Sequence, residues 1–526
     1  MAAGTVLSRV TGVLRDIAMT AALGFAVVSD AYSLGNTLPN ILYILVAGGA
    51  LNAVFIPQLV RHMKSDDDAG KAFADRLLSA VGVLLLALSV ITVIAAPLIV
   101  NLYTSSDVGS AEYSLAVAFA RLCLPQIFFY GAYTMLQQVL NARGSFATAM
   151  FAPIANNIVA IVVFVGFLFV AGPTAATGGT LSDGQVWWLG AGTTLGVALQ
   201  AAVLLPPLVK SGYRFNFRSD WRGGGLGHAG GLALWTVGLV AVNQIAYAVI
   251  TRLATTANLE AAQAGITAAG LTTYQKAHLV FVLPHSVITV SLVTALLPRL
   301  SALAHEGNLS EVGAQVGRAL RLTLALLVPV AALLAVTAPD VTQLLFGYGA
   351  AGVDAARVTG EVVSIFALGL PAYSAVYVLY RAWYAMEDTR SPFFIAVLVN
   401  LVNAGLGLAL FAAAALPGKI QALGWSYTAA YVVAAVAAFF ALSRRLSSLD
   451  GRLLLSSTLR LCLAAATAAG SAQLVGALPL GALLPTLVLQ WLVGGGVFVG
   501  AAMVLRINEV RDGIGLALSR IRPRNH

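Results

Sequence analysis

Repeated apolar runs of about 20 residues constrain the fold of this chain more than any other feature. As α-helices, such runs span the core of a bilayer and satisfy every backbone N–H and C=O within the segment. Only 10% of the residues are charged and 59% are hydrophobic, whereas a typical soluble domain is roughly 25% charged. The composition therefore excludes a soluble enzyme, a nucleic-acid-binding module and a disordered scaffold.

Apolar windows between turn and charge clusters predict an all-α polytopic membrane protein with about 14 transmembrane helices. The connections are short, and several carry Gly or Pro, as at Gly172-Pro173 and Pro417-Gly418. The predicted spans are 4–27, 31–59, 75–103, 112–141, 146–171, 186–209, 229–253, 268–298, 314–338, 355–384, 391–416, 420–443, 455–478 and 483–505.

Basic residues are concentrated in every second connection. Twenty-three of the 30 Lys and Arg residues lie in one set of connections and the C-terminal tail, whereas the other set holds only Arg252, Arg357 and Lys419. Because basic loops stay on the cytoplasmic side, we expect both termini in the cytoplasm. The net charge of +9 is then a topology signal, and no nucleic-acid partner is expected.

A weak internal repeat predicts two lobes. Leu38-Pro39-Asn40 resembles Leu283-Pro284-His285, and Ala132-Tyr133 resembles Ala372-Tyr373. Transporters are commonly built from repeats, and six helices per unit make the two units parallel. We predict an N-terminal lobe, an interfacial cytoplasmic linker, a C-terminal lobe, two further helices and a basic cytoplasmic tail, at 1–209, 210–228, 229–445, 446–505 and 506–526.

The linker alternates aromatic and polar residues from Tyr213 to Arg218. This pattern is typical of a segment that lies along the membrane interface, with rings among the headgroups and arginines near anionic lipid. The alternative is an ordinary anchored linker between the two lobes.

Charged side chains inside the predicted spans need an explanation, because a charge at a helix centre costs roughly 2.5–3.5 kcal/mol on insertion scales. Arg9, Arg15, Asp16 and Asp30 lie in the first span and at the start of the second. We expect Asp16 or Asp30 to hold one arginine in place while another faces a water-filled cavity. The alternative is that Arg15 and Asp16 form structural pairs between helices.

Arg121 in the fourth span and Lys276 in the eighth add further cations. Their excess indicates an anionic ligand, and arginine favours phosphate because its planar fork donates two hydrogen bonds and keeps its proton. Arg121 could instead snorkel to the interface. His278 and His285, seven residues apart on one helical face, are a candidate proton relay or a packed polar pair.

Catalytic and metal-binding motifs are missing from the sequence. It contains no G-x-x-x-x-G-K-[ST] phosphate loop, no H-E-x-x-H, no G-x-S-x-G and no cysteine pair at metal spacing. We therefore expect a transporter without catalytic residues, metal or cofactor, rather than an enzyme.

Several motifs together resemble one family. Ser8-Arg9-Val10-Thr11-Gly12-Val13-Leu14-Arg15-Asp16, followed by Ser29-Asp30-Ala31-Tyr32, resembles the opening of the MurJ (MviN) family of lipid II flippases in the MOP (multidrug/oligosaccharidyl-lipid/polysaccharide) exporter superfamily. Further matches follow in family order as far as residue 392. They are Leu38-Pro39-Asn40, Phe55-Ile56-Pro57, Leu140-Asn141-Ala142-Arg143-Gly144, Leu345-Phe346-Gly347-Tyr348-Gly349 and Trp383 to Pro392.

The resemblance implies a flippase of the bacterial cytoplasmic (inner) membrane that takes lipid II from the inner to the outer leaflet by alternating access. Its partners would be lipid II, membrane lipids and other cell-wall synthesis proteins. The polyprenyl tail would run in a groove toward the last two helices. By the same match, the residues at positions in and around the cationic cavity are Arg9, Arg15, Asp16 and Asp30, with Arg121 at a basic position of the fourth span.

The sequence also departs from the family pattern. Many members of the family carry basic residues at the positions of Tyr43 and Leu279. Lys276 is a candidate substitute for the basic residue that Leu279 replaces. Some members of the family bind an ion through a carboxylate in the seventh span and polar groups in the eleventh. In these two spans the present chain has Asn243, Asn400 and Asn403, and no carboxylate. This makes a sodium site doubtful and leaves sodium, protons and the membrane potential open as the driving force.

Two other classes of protein remain as alternatives. A flippase for another polyprenyl-linked oligosaccharide, or a MATE-like exporter, would share the fold but differ in the charge of its cavity. A non-transporting membrane scaffold would recruit cell-wall proteins through its basic loops and tail, and loop mutations would then do more harm than cavity mutations.

Overall fold

The computed structural model describes residues 2–45, 70–172, 180–220, 230–266, 270–479 and 481–511. Over these residues the chain forms α-helices and one 3₁₀ turn at Leu416–Gly418, without a β-strand. The predicted second span beyond 45, the linker beyond Asp220 and the tail beyond Arg511 lie outside the described residues. The helices are α1 (Ala2–Leu23), α2 (Val27–Tyr43), α3 (Lys71–Ile94), α4 (Ala96–Tyr103), α5 (Ala111–Cys123), α6 (Gln126–Ala142), α7 (Phe146–Ala171), α8 (Asp183–Ala202), α9 (Leu205–Lys210), α10 (Gly230–Gln263), α11 (Leu271–His305), α12 (Leu309–Phe346), α13 (Gly352–Ala385), α14 (Arg390–Ala413), α15 (Lys419–Ser443), α16 (Gly451–Gly476) and α17 (Leu483–Val504).

The helices confirm the predicted all-α polytopic architecture. Within the described ranges, 12 helical stretches are long and apolar enough to cross a membrane. The first two predicted spans fall outside these 12, because α1 carries Arg9, Arg15 and Asp16 and α2 is described over 17 residues. Among the spans that the structure describes, three are interrupted, at Ala95, at Leu124-Pro125 and at Val203-Leu204, and each is a pair of consecutive helices.

Polar side chains fix where several helices begin. In α8, the N–H of Gln185 donates to Ser182 Oγ at 3.4 Å, and the N–H of Ser182 donates to Gln185 Oε1 at 2.9 Å. Ser110, Asn308 and Asp450 accept backbone N–H groups at the starts of α5, α12 and α16. The first N–H groups of a helix lack partners within it, so these caps stabilise the helix ends.

The chain divides into two compact units, Met1–Thr272 with Tyr348–Gly352, and Thr273–Gly347 with Val353–His526. In the first unit α1 packs on α7, α2 on α5, and α7 on α8. In the second, α14 packs on α15, and α12 packs on α16 and α17. The first unit reaches beyond the predicted lobe end at 209 because α10 contacts α2 and α4. The division into two six-helix lobes by an internal repeat stays a prediction.

The core of the first unit positions α2. Tyr32 is 2% exposed, and its ring lies edge-on to Phe119 and Phe164, with centroids 5.4 and 5.5 Å away. One turn further on, a Cβ on Gly35 would lie 2.7 Å from the Cβ of Phe119 and 2.9 Å from the backbone N of Ala120. Only glycine allows α2 and α5 to approach this closely, as small residues do in membrane helix interfaces.

Candidate functional site

A polar cleft opens in the first unit between α1, α2, α6 and α7. Its volume is about 450 Å³. Helices α1, α2 and α7 each contribute three residues at helical spacing, so that one face of each of these helices lines the cleft. The lining residues are Ser8, Gly12 and Arg15 of α1, Asn36, Thr37 and Asn40 of α2, Tyr130 of α6, and Pro153, Asn156 and Asn157 of α7.

Arg15 provides the positive charge among the residues that line the cleft. One terminal nitrogen of its guanidinium donates to Asp16 Oδ2 at 2.9 Å, and the other donates to Asn157 Oδ1 at 3.3 Å. The Arg15 side chain is 37% exposed, whereas that of Asp16 is 11% exposed. A guanidinium has five N–H donors, so the exposed part of Arg15 can donate further hydrogen bonds into the cleft. Asp16 therefore holds Arg15, but this same arginine also lines the cleft, whereas we expected a different arginine to face the cavity.

Asn157 connects Arg15 to the backbone of α1. Its amide nitrogen donates to the carbonyl of Ser8 at 3.1 Å and to the hydroxyl of Thr11 at 3.0 Å. With only 5% of its surface exposed, this amide has little freedom to move. It therefore positions the guanidinium of Arg15 and joins α7 to α1. Asn157 is not among the residues predicted for the site, although an Asn156-Asn157 pair inside an apolar span is a visible signal.

A second amide supports the opposite side of the cleft. Gln126 is fully buried, and its nitrogen donates to Asn36 Oδ1 at 3.3 Å and to Thr194 Oγ1 at 3.1 Å. The hydroxyl of Tyr130 donates to Gln126 Oε1 at 3.3 Å. Asn36 and Tyr130 are therefore held by one buried hydrogen-bond network, which orients two polar side chains of the cleft.

Asp30 has a different environment from Arg15. The carboxylate is 4% exposed and accepts the backbone N–H groups of Leu271 and Thr272, both at 2.7 Å. Leu271 and Thr272 are the first two residues of α11, so the carboxylate of Asp30 caps the start of this helix. A Cβ on Gly270 would lie 2.1 Å from Asp30 Oδ2, so only glycine fits before this turn. Asp30 is not among the residues that line the cleft, and its predicted role in substrate binding stays a prediction.

Arg9 and Arg121 also lie outside the lining of the cleft. Both side chains are exposed. Arg9 is on α1, six residues before Arg15, and Arg121 is in the last turn of α5, before the helix break at Pro125. The structure brings neither into the cleft, and their predicted roles stay predictions.

The predicted residues of the eighth span lie in the second unit, on α11. Lys276 is 4% exposed. The Nε2 of His278 is 3.2 Å from the hydroxyl of Tyr427, and the Nδ1 of His285 is 2.8 Å from Ser374 Oγ. His285 is 3% exposed. Both histidines are thus held by hydroxyl groups within aromatic surroundings, an arrangement that serves packing and a polar relay equally well.

The three asparagines of the doubtful ion site are in two different units, Asn243 in the first and Asn400 and Asn403 in the second. Asn403 Oδ1 accepts from Ser426 Oγ at 3.0 Å, and the amide nitrogen of Asn400 donates to the carbonyl of Ala396 at 2.8 Å. Over the residues that the structure describes, no group of three or more His, Cys, Asp or Glu could hold a metal ion. The ion site stays a prediction.

Comparison with protein families gives one match that spans most of the chain. A family model described as lipid II flippase MurJ matches residues 19–493. A relative from Rhizobium meliloti (strain 1021), described as a probable lipid II flippase MurJ, is 28% identical over 427 residues, covering 80% of this chain and 76% of the relative.

Two solved structures share the fold. One, described as lipid II flippase MurJ in an inward closed conformation, aligns with a TM-score of 0.75 at 18% identity and covers 98% of this chain and 99% of that one. The other, an inward-facing multidrug resistance MATE family transporter of the MOP superfamily, aligns with a TM-score of 0.64 at 15% identity over 84% of this chain and 95% of that one. At identities of 18% and 15%, these alignments show that the chain shares the helical fold of the two structures.

Proposed function

Since the chain belongs to the family described as lipid II flippase MurJ, we propose that it moves lipid II from the inner to the outer leaflet of the bacterial cytoplasmic membrane. The observation that supports this most directly is the polar cleft of the first unit, with the partly exposed guanidinium of Arg15 in its lining. A lipid-linked oligosaccharide with a pyrophosphate group presents the anionic, hydroxyl-rich headgroup that such a cleft suits.

The chemistry of the cleft divides into two parts. The guanidinium of Arg15 recognises phosphate oxygens through charge-assisted hydrogen bonds. Asn36, Asn40 and Tyr130 present amide and hydroxyl groups that exchange hydrogen bonds with sugar hydroxyls. The apolar polyprenyl chain needs no such partners and stays in the hydrocarbon of the bilayer.

Transport then follows from alternating access. A ligand shifts a conformational equilibrium only by the difference in its contacts with the two states. We propose that the headgroup contacts Arg15 in the inward-open state and gains further contacts as the cleft closes. The protein is a transporter, and coupling to a cation or to the membrane potential stays a prediction.

The orientation of the chain is part of the proposal. The alternation of basic connections supports a cytoplasmic location for both termini. Lipid II synthesised on the cytoplasmic side would then reach the cleft from the inner leaflet.

Native mass spectrometry of the purified protein tests this function. The ligands are lipid II and, as a control for the lipid tail, undecaprenyl phosphate. We expect selective retention of lipid II, which is lost in an Arg9→Ala/Arg15→Ala variant. A matched control replaces two exposed basic residues of the second unit, Arg444→Ala/Arg452→Ala, and should retain lipid II like the wild type.

Equal retention of both lipids by all three proteins would refute selective binding. Preference for a different polyprenyl-linked oligosaccharide over lipid II would instead identify a related flippase. A complementation assay completes the test. Arg15→Ala should fail to support growth of cells depleted of their own flippase while reaching the membrane in normal amount, and full complementation would remove Arg15 from the mechanism.

A further inference from the structure

The segment that follows α9 is attached to α3 by a buried polar network. Tyr213 is 1% exposed, and its hydroxyl donates to Asp75 Oδ1 at 2.6 Å. Lys71 Nζ donates to the other carboxylate oxygen of Asp75, also at 2.6 Å. Further along, the N–H of Arg218 donates to Ser79 Oγ at 2.9 Å. Tyr213 is therefore buried rather than among headgroups, and residues 213–218 have a defined position on the first unit.

This attachment leaves two phenylalanine rings beside an apolar groove. Phe215 and Phe217 alternate with polar residues and are 47% and 65% exposed. With side chains of α3, α6 and α9 they enclose a groove of about 310 Å³, and no residue in its lining is charged. The lining includes Leu86 of α3, Phe128 and Met135 of α6, Leu208 of α9, and Phe215 and Phe217.

Two cations flank this groove along the chain. Lys210 ends α9, two residues after Leu208, and Arg214 precedes Phe215. Both side chains are exposed, and within the described part of the chain neither forms a hydrogen bond or ion pair. Arg218, by contrast, is bound to Asp220 at 2.9 Å. An apolar groove with exposed positive charge next to it is complementary to a phospholipid with an anionic headgroup.

We propose that this groove, between α3, α6, α9 and residues 213–217, binds an acyl chain of an anionic glycerophospholipid whose phosphate contacts Lys210 and Arg214. The positive-inside rule assigns this connection to the cytoplasmic leaflet, which is rich in anionic lipid. The site is separate from the polar cleft and does not depend on which lipid the protein transports. The bound lipid would hold the segment between the two predicted lobes at the membrane surface.

Gly82 offers a substitution that fills the groove without disturbing the fold. It lines the groove on α3, and a Cβ at this position would meet nothing within 4 Å. Leucine is also a better helix former than glycine. Gly405 on α14 is a matched control, because it is exposed, belongs to the second unit and would likewise place a Cβ in open space.

The charged part of the site is tested separately with Lys210→Gln/Arg214→Gln. Each Lys or Arg close to an anionic membrane surface contributes about five-fold to binding, so that this double variant should lose at most about 30-fold. Arg444→Gln/Arg452→Gln removes the same charge from exposed positions of the second unit and is the matched control.

The experiment measures lipid retention by native mass spectrometry in detergent, with dioleoylphosphatidylglycerol, dioleoylphosphatidylcholine and undecaprenyl phosphate as probes. We expect the wild type and both controls to retain phosphatidylglycerol in preference to phosphatidylcholine. Gly82→Leu should lose most of this retention, and Lys210→Gln/Arg214→Gln should bind the two phospholipids equally. Thermal unfolding by circular dichroism verifies that each variant is folded.

Two results would overturn the proposal. Retention of phosphatidylglycerol by Gly82→Leu at the wild-type level would show that the groove is not the binding site. Retention of undecaprenyl phosphate that exceeds that of phosphatidylglycerol and depends on Gly82 would identify the groove as a site for a polyprenyl chain. If Gly82→Leu does not fold, the proposal is tested by comparing Lys210→Gln/Arg214→Gln with its control Arg444→Gln/Arg452→Gln. An equal preference for phosphatidylglycerol in these two variants would contradict a role for Lys210 and Arg214.

Discussion

Replacement of Asn157 with leucine should weaken lipid II binding, although Asn157 acts through another residue. The substitution keeps the size of the side chain but removes the oxygen that accepts from Arg15 at 3.3 Å and the nitrogen that donates to Ser8 and Thr11. Thr11 keeps a partner, since its hydroxyl also donates to the carbonyl of Leu7 at 2.9 Å. We therefore expect the variant to fold, while the guanidinium of Arg15 loses its fixed position.

The magnitudes follow from the hydrogen bonds involved. A bond with a charged partner contributes about 1.5–3 kcal/mol, so removal of the guanidinium in Arg15→Gln should weaken binding by about 10- to 150-fold. Asn157→Leu keeps the charge and the contact with Asp16 but frees the guanidinium to move, and we expect a smaller loss of about 5- to 10-fold. Since the effect passes through Arg15, the double variant should bind no more weakly than Arg15→Gln alone.

The assay is a double-mutant cycle with dissociation constants for lipid II, measured by titration in native mass spectrometry. Contacting residues show coupling of about 0.5–3 kcal/mol, whereas independent sites add within about 0.3–0.5 kcal/mol. Gln200→Leu, at another buried amide of the first unit outside the cleft, is the control and should bind within about two-fold of the wild type. Losses from Arg15→Gln and Asn157→Leu that add independently would refute the positioning role of Asn157.

Further predictions concern stability and pH. Asp30→Ala removes the cap of α11 and should lower the free energy of unfolding by about 0.5–2 kcal/mol, which is measured as a lower thermal midpoint in detergent. Asp30→Asn should destabilise the protein less, because one acceptor oxygen remains. An unchanged midpoint in Asp30→Ala would contradict the cap. Gly270→Ala places a Cβ 2.1 Å from Asp30 Oδ2 and should destabilise the protein more than Gly405→Ala, which meets open space; equal midpoints would contradict the close packing. In the α13–α14 connection, burial raises the pKa of Asp388, but hydrogen bonds from Ser391 and the charge of Arg445 outweigh it, so its pKa lies below the ordinary value of 3.8. The stabilisation by Asp388 is therefore present above about pH 4 and is lost as the pH falls through the lowered pKa, and Asp388→Asn should flatten the decline of the thermal midpoint below pH 4 relative to wild type.

The helical architecture was predictable because its cause is local. Each apolar run is long enough to span a membrane and must satisfy its own backbone, so the helices over 390–413 and 483–504 coincide closely with the predicted spans. An aspartate that holds an arginine was also expected, because a charge inside a span needs a partner, but the sequence left open which aspartate pairs with which arginine. Arg9 and Arg121 were predicted on the same reasoning, yet neither lines the cleft. Charge alone does not say which face of a helix is turned toward a neighbour.

The sequence by itself determined that this chain is a polytopic helical membrane protein, and its ordered motifs indicated the family. Hydrophobic length, charge alternation and motif order can be read along one dimension. Only the tertiary structure decided which polar groups meet. Asn157 reaches Arg15 across 142 positions of sequence, and Asp30 caps a helix that begins 241 residues later. Hydrogen bonds depend on ångström-scale geometry, which arises when helices from distant parts of the chain pack together.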